Sequence, residues 1–369
     1  MRVGVLKETK TGEKRVALLP AGAYALAERN HEVFVETRAG MGSGFSDNAY
    51  EEMGAKIVAT PGEVIGSAEL VLKVKEPSPS EIALMRPGQV IFDFLHLAPA
   101  VDLVRSILES GIIAIGFETV QLDDGSLPLL VPMSEVAGRL AIQIGAHCLQ
   151  ADQGGRGILL GGVPGVPRGR VTVIGGGIVG TAAVRMAVGL GAEVSVLDID
   201  QRRLSHLYDI YHGGISTLYS NSVNLESTVP QADIVIGAVL LAGARAPRIV
   251  TREMVAAMAD GSVVIDVAVD QGGCIETIRP TSHAEPTYTV EGVIHYGVPN
   301  MPGAVPYTST FALTSAILPY LFELADRGVD EALRRNAALA RGVNCYRGEV
   351  TIAGVADAIG LPVAHAPWA

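Results

Sequence analysis

Residues 170–203, RVTVIGGGIVGTAAVRMAVGLGAEVSVLDIDQRR, constrain the fold more than any other stretch. Arg170–Ile174 is rich in β-branched residues and predicts a short buried strand. Gly175, Gly177 and Gly180 follow as G-x-G-x-x-G and lead into a helical apolar pattern. A second apolar run, Val194–Leu197, ends at Asp198. In a chain with 43 glycines a bare glycine triplet says little. Strand, glycines, helix, strand and terminal acid in this order predict a dinucleotide-binding βαβ unit. The first glycine permits a tight turn, the second lets a pyrophosphate approach the backbone, and the third lets helix and strand pack closely. Ile178 and Val179 lie in the first helical turn, whose free N–H groups would face the phosphates. Asp198, about 20 residues beyond the glycines, can accept both ribose hydroxyls. Its charge would repel a 2′-phosphate, so the expected cofactor is NAD rather than NADP.

At 369 residues the chain has the length of about two domains. Hydrophobic residues make up 49% and charged residues 18%, which excludes extensive disorder. The net charge of −11, without a basic block, argues against nucleic acid as a partner. No apolar run approaches the roughly 20 residues that span a bilayer. The N-terminus lacks an apolar signal core, so the expected location is the cytoplasm. Cys148, Cys274 and Cys345 stand far apart and form neither metal-ligand spacing nor a disulfide framework. All six lysines lie at or before Lys75, against 22 arginines along the chain. A lysine kept near glycine- and proline-rich loops in such a chain is a candidate for lysine-specific chemistry.

Taken in order, strands are expected at Met1–Leu6, Glu32–Glu36, Lys56–Ala59, Leu70–Val74, Val90–Phe94 and Ile112–Gly116. Helices are expected at Pro20–Arg29 and Val101–Ser110. Ser134 is the expected N-cap of a long helix, Glu135–Gln150. Beyond Asp198 the alternation continues through Ala232–Ala238, a helix over 251–259, Ser262–Val267 and one last strand, Thr287–Tyr296. A long apolar helix is expected from Tyr307 to Asp326, and short helices over 329–361. Strands alternating with helices predict two doubly wound parallel-sheet α/β domains. The boundaries expected are 1–130 with 306–369, the tail returning to the first domain, and 131–305 for the nucleotide domain. Helices 135–150 and 307–326 would be the crossings, with a ligand cleft between the domains.

Lys75 and His96 each follow an apolar strand run, so they should share the carboxyl edge of the first sheet, within reach of Arg15 in the loop after the first strand. The set suits a small oxo or amino acid. Arg15 would grip a carboxylate, Lys75 would polarise an oxygen, and His96 would move protons near neutral pH. Each also has a plainer role as a surface ion pair or a satisfied histidine. Asp270, just past Ser262–Val267, is either a loop-capping acid or a carboxylate near the nicotinamide. His295 sits inside an apolar run and is a weaker candidate base. No H-E-x-x-H or C-x-x-C occurs, so no metal site is expected.

The segments MRVGVLKETKTGEKRVALLP (1–20), LVLKVKEP (70–77), FDFLHLA (92–98), PMSEVAGRLAIQIGA (132–146), GGRGILLGGVPGV (154–166), ADIVIGAVLLAGARAP (232–247), DVAVDQGGCIE (266–276) and PNMPGAVPYTST (299–310) carry a resemblance almost end to end. The chain resembles the alanine dehydrogenases, a family shared with the soluble NAD-binding part of proton-translocating transhydrogenase. The resemblance implies a Rossmann domain, a split substrate domain, a homohexamer and reversible oxidative deamination of L-alanine to pyruvate and ammonia with NAD. It implies substrate binding by Arg15 and Lys75 and catalysis by His96 and Asp270. Around the cofactor it implies Ser134, Gly175, Gly177, Ile178, Val179, Gly180, Asp198, Arg203, Ser220, Val239, Leu240, Val267, Asp270, Arg279, Val298, Asn300 and Met301. The chain departs from the family at GGGIVG, where alanine is common second, and at PGA (302–304), where PAS is frequent. Arg327 stands where some members carry a histidine beside the acid matched by Glu323, so that magnesium site is not expected. The alternatives are a transhydrogenase α-like NAD(H)-binding subunit, although the Arg-Gln-Asp motif of its partner-contacting loop is missing, and a 2-hydroxy-acid dehydrogenase built on His295.

Overall fold

A computed structural model describes residues 1–239, 246–365 and 368. The chain divides into two compact units, Met1–Met133 with Val305–Ala369, and Ser134–Ala304. Its strands run in chain order as follows. The first six are β1 (Arg2–Val5), β2 (Glu32–Glu36), β3 (Lys56–Val58), β4 (Leu70–Lys75), β5 (Val90–Phe94) and β6 (Ile113–Gly116). Next come β7 (Arg170–Ile174), β8 (Glu193–Asp198), β9 (Ser216–Tyr219), β10 (Ile234–Gly237), β11 (Val263–Asp266), β12 (Thr287–Val290) and β13 (Val293–Tyr296). The tail adds β14 (Val343–Tyr346) and β15 (Glu349–Val350).

The first unit is built on the sheet β15-β14-β6-β5-β4-β1-β2-β3, parallel from β6 to β3. β4 and β5 lie inside it, covered on both faces, and are apolar except for Lys73, Lys75 and Asp93. The strand order reverses at β1, which has β4 on one side and β2 on the other. The second unit is built on β12-β13-β11-β10-β7-β8-β9, with the glycine-bearing β7 between β10 and β8. Helices pack against both faces over two buried apolar layers. Each sheet therefore has a topological switch point at the carboxyl ends of its central strands, where open α/β sheets take ligands.

Several expectations need correction. Thr287–Tyr296 is a hairpin, with β12 antiparallel to β13. Its two-residue turn places Glu291 at φ 52° and Gly292 at φ 73°. The tail is not only helical, because β14 and β15 form a second hairpin turned by Arg347 at φ 50° and Gly348 at φ 93°. Both turns have the positive φ at both central residues that a type I′ turn needs. Neither carries the Asn-Gly or Asp-Gly pair that signals such a turn in a sequence. The long helix runs Val131–Cys148, because the Leu127 carbonyl takes the N–H groups of Leu130 and Val131 and starts it early. Ser134 therefore sits within its first turn and is not the N-cap. β9, a short half-buried strand, has no counterpart among the expected strands.

Candidate active site

In the second unit the three glycines can be assigned their separate jobs from what a side chain would meet. Gly175 has φ +100°, and a Cβ there would lie 2.6 Å from the Ala238 carbonyl. A Cβ on Gly180 would lie 1.7 Å from the Gly175 carbonyl, so only glycine lets the helix Ile178–Gly189 start this close to β7. Gly177, the N-cap of that helix, is different. The nearest atom to its Cβ position is Arg203 Nη1 at 4.0 Å. The room beside Gly177 is open, as an approaching pyrophosphate requires.

Asp198 ends β8 and is buried. Its Oδ2 accepts the Gly176 N–H at 2.6 Å and its Oδ1 accepts the Asp200 N–H at 2.8 Å. Arg203 Nη1 lies 3.4 Å from Oδ2. A carboxylate has about four lone-pair sites, so sugar hydroxyls can still be accepted. Ser220, Val239, Val267 and Val298 each stand just past the carboxyl end of a strand of this sheet, on the edge where Gly175 and Asp198 lie. Ser220 is tied to it through its N–H to the Asp198 carbonyl, and Val267 through its N–H to the Gly237 carbonyl. Ile178 is exposed and Val179 half-buried. Ser134 lies one helical turn before Gly138, whose missing Cβ lets its helix touch the Val179 carbonyl, so Ser134 is beside the glycine turn. Arg279 is exposed and stacks on the Tyr288 ring at 4.1 Å. Asn300 has φ 57° and precedes the buried Met301. Leu240 lies outside the described residues.

Asp270 is exposed on the 3-10 turn Val269–Gln271. The turn is organised by Asp266, whose carboxylate accepts the N–H groups of Ala268 (3.0 Å), Cys274 (2.7 Å) and Ile275 (3.1 Å). Burial pushes Asp266 up to about 6 even against these three bonds. His295 is fully buried, with its ring nitrogens engaged by Thr277 Oγ1 at 2.7 Å and the Val293 carbonyl at 2.9 Å. Burial holds its pKa below the ordinary histidine value. It is a satisfied core histidine. A pocket of about 400 Å³ lined by Ile158, Leu160 and Leu190 lies at the far end of the helix Ile178–Gly189 from Gly177, away from all of these groups.

In the first unit, Lys75 ends β4, which runs past the end of β1. The β1–β4 pairing stops at Val5 and Leu72, and Glu8 in the following loop supplies the missing acceptor. Its Oε1 takes the N–H groups of Val74 at 2.6 Å and Lys75 at 3.4 Å. Its Oε2 is buried, without a hydrogen-bond partner among the described residues, and 3.9 Å from Lys73 Nζ. Burial pushes Glu8 up to about 7, against the pull of Lys73. Lys73 is itself buried and donates to Glu81 at 2.7 Å. Glu8, Lys10, Lys73 and Glu76 line a pocket of about 350 Å³ at this switch point. Burial, and then the guanidinium of Arg15, lower the pKa of Lys75 from its usual value.

Arg15 is buried, and Glu13 grips its fork with bonds of 2.7 Å to Nε and 2.6 Å to Nη2. Nη1 points to the Met133 sulfur at 3.0 Å. His96 is exposed two residues beyond β5 and has φ 48°. Arg15, Lys75 and His96 thus share the carboxyl edge of one sheet. Sequence reasoning missed the carboxylates beneath them, Glu8, Glu13 and Glu118, and the fully buried Asp93. The strand-end rule that selects Lys75 and His96 also selects Glu8 after β1 and Glu118 after β6, had it been applied to every strand. Arg327 forms an i,i+4 ion pair with Glu323 at 2.8 Å.

Known proteins share this chain's sequence and fold. Residues 4–137 match the alanine dehydrogenase/PNT N-terminal domain, and residues 141–353 match the alanine dehydrogenase/PNT C-terminal domain. An alanine dehydrogenase of Methanococcus maripaludis is 51% identical over 98% of this chain and 97% of its own length. One of Halomonas elongata is 52% identical over 99% of each. Among solved structures, an L-alanine dehydrogenase superposes with a TM-score of 0.95 at 50% identity, covering 98% of this chain and 99% of its own. A transhydrogenase from Sinorhizobium meliloti superposes with a TM-score of 0.82 at 25% identity, covering 96% and 99%.

Proposed function

Because the chain belongs to the alanine dehydrogenase/PNT family, we propose that it catalyses the reversible oxidative deamination of L-alanine to pyruvate and ammonium, with NAD as hydride acceptor. The second unit is the dinucleotide domain in this proposal, and the first is the substrate domain. The observation that carries the substrate class is the edge of the first sheet. There a lysine of lowered pKa lies close enough to Arg15 to feel its charge, and His96 follows the adjacent strand.

The residues of the second unit fit NAD. Gly177 leaves room for the pyrophosphate, and Gly175 and Gly180 set the turn. Asp198 takes the ribose hydroxyls and opposes a 2′-phosphate. Ser134, Arg203, Ser220, Val239, Leu240, Val267, Arg279, Val298, Asn300 and Met301 complete the proposed contacts, with Ile178 and Val179 at the phosphates. When bound, the nicotinamide supplies a two-electron acceptor for the Cα hydrogen. Arg15, steadied by Glu13, holds the substrate carboxylate. Lys75 holds and polarises the substrate oxygen, a task suited to a compact charge of lowered pKa. His96 takes a proton from the water that attacks the imino carbon and returns it to the departing nitrogen. Asp270 steadies the cationic nitrogen.

The purified protein should form NADH with L-alanine, far less with serine, and none with lactate or without substrate. NADP should be a poor replacement. Hydride exchange between dinucleotides without any amino acid would instead favour a transhydrogenase-type subunit. The greater likeness to alanine dehydrogenase than to transhydrogenase supports the first outcome, and so does the engagement of His295 in the core against a 2-hydroxy-acid dehydrogenase. A closed assembly of six chains belongs to the same proposal. The solvent-facing aromatic cluster of Phe45, Tyr307 and Phe311 supports it, with ring centroids 5.0–5.9 Å apart. Sedimentation of an active species near 38.5 kDa would refute that assembly.

A further inference from the structure

The chain turns sharply after β5. Leu95 and Leu97 are both buried, while His96 between them is exposed. An extended strand would give the same alternation, since residues two apart share a face, so the burial pattern alone does not mark the turn. Here the change of course is made at His96, whose φ of 48° lies in the left-handed region that a non-glycine residue enters at a cost. Such a conformation persists only when its surroundings hold it.

One carboxylate supplies that hold. Glu118 Oε1 accepts the His96 N–H at 2.7 Å, and Oε2 accepts the Leu95 N–H at 3.3 Å. Glu118 lies in the 3-10 turn Phe117–Thr119 directly after β6, the strand beside β5. That turn is fixed in its own right. Thr119 Oγ1 donates to the carbonyls of Gly116 and Gly342, and it accepts from Asn344 of β14 at 2.7 Å. The fully buried Asp93, paired with Gly116 across the β5–β6 ladder, is held well above the ordinary carboxylate range by burial and then by the charge of Glu118.

We propose that Glu118 is a positioning residue: its carboxylate clamps two consecutive backbone N–H groups and so holds His96 in the left-handed conformation that presents the imidazole to substrate. The inference rests on the reading of His96 as the general acid–base group. It assigns Glu118 no contact with substrate or cofactor. Its whole effect on turnover passes through His96.

A double-mutant cycle on the full-length enzyme tests this. Glu118→Gln, which keeps the size but replaces one acceptor oxygen by a donor, should lower kcat about tenfold and leave the NADH Kd within about twofold. In a His96→Ala background the same substitution should change kcat by less than about twofold, because the group it positions is gone. Loss of a further tenfold there would show that Glu118 acts elsewhere and overturn the proposal. So would a Glu118→Gln enzyme of wild-type kcat. If His96→Ala alone kept turnover within a few-fold of wild type, the functional reading of His96 would fall instead, whatever position 118 did. Should Glu118→Gln not fold, Glu118→Asp carries the same cycle, since it keeps the charge but withdraws it by one methylene.

Discussion

The two sheet edges prepare their ligand sites by opposite means. In the second unit the edge is shaped by atoms that are missing. Gly175, Gly177 and Gly180 remove side chains where the backbone turns, opens and packs, and Asp198 at the end of β8 is oriented by two backbone N–H donors. In the first unit the edge is shaped by charge. Glu8, Glu13, Lys73, Glu81 and Asp93 are buried beneath Arg15, Lys75 and His96. Among them Glu8 accepts the Lys75 N–H and Glu13 grips the Arg15 fork. A dinucleotide needs space and N–H donors at fixed places, which a rigid backbone provides. Moving protons on a small acid needs groups with adjusted pKa values, which only desolvation and neighbouring charges provide.

The sharpest way to break this contrast is at Gly180. A Cβ there would lie 1.7 Å from a carbonyl oxygen, so backbone must move. Gly180→Ala should destabilise the second unit by more than about 3 kcal/mol, seen as a thermal transition lowered by about 10 °C. Unfolding at the wild-type temperature would mean that the glycine packing is not what builds this edge. The corresponding test of the first unit is Glu8→Gln. Burial raises Glu8 from 4.5 to about 7 in the folded protein. The folded state then holds a proton that the unfolded state has lost between these values, so stability falls as pH rises from 4.5 to 7 and stays reduced above. Glutamine can still accept the Val74 N–H and has no charge to desolvate. Glu8→Gln should match wild type near pH 4.5 and exceed it by about 3 kcal/mol at pH 8. Urea unfolding at the two pH values measures this, and a difference independent of pH would remove Glu8 from the argument.

The same contrast explains what the sequence discloses. The glycine turn is legible because each of its jobs is local: Gly175, Gly177 and Gly180 stand within six positions and Asp198 closes the next strand. Lys75 and His96 are legible because strand ends gather at one edge. The acids beneath them are not, because Glu8 follows β1, Asp93 lies on β5 and Glu118 follows β6, and they come together only once the order β6-β5-β4-β1 is known. Arg15 is read as the grip for a substrate carboxylate or as a surface ion pair, whereas it is buried and its fork is held by Glu13, two residues away. The hairpins at Glu291-Gly292 and Arg347-Gly348 are missed for another reason. Their first turn residues are poor left-handed formers, and cross-strand pairing overrides that preference.

A smaller effect sharpens the account of the second unit. Gly177 shares a motif with Gly180, yet its Cβ position is open to 4.0 Å. Gly177→Ala should therefore melt within a degree or two of wild type. It should weaken NADH about tenfold in a fluorescence titration, because the added methyl occupies the path of the pyrophosphate. A Gly177→Ala protein that melts early but binds normally would show that this glycine, too, is there for packing.

The smallest effect is a sign. At an ordinary extended position, replacing alanine by glycine lowers stability, because glycine gives the unfolded chain more freedom. At φ 48° the folded state penalises alanine's Cβ and spares glycine. His96→Gly should therefore be more stable than His96→Ala, by about 1 kcal/mol. Neither variant has an imidazole, so the comparison is free of catalysis. It asks only whether the backbone at the end of β5 is held in the left-handed region. With Glu118→Ala in both, the clamp on the Leu95 and His96 N–H groups is gone. The segment can then relax toward an extended form, and the preference for glycine should shrink or reverse. Urea unfolding of the four proteins reads this directly. If alanine were the more stable residue with Glu118 intact, the backbone at 96 would be unstrained, and His96 would owe its position to nothing that Glu118 does.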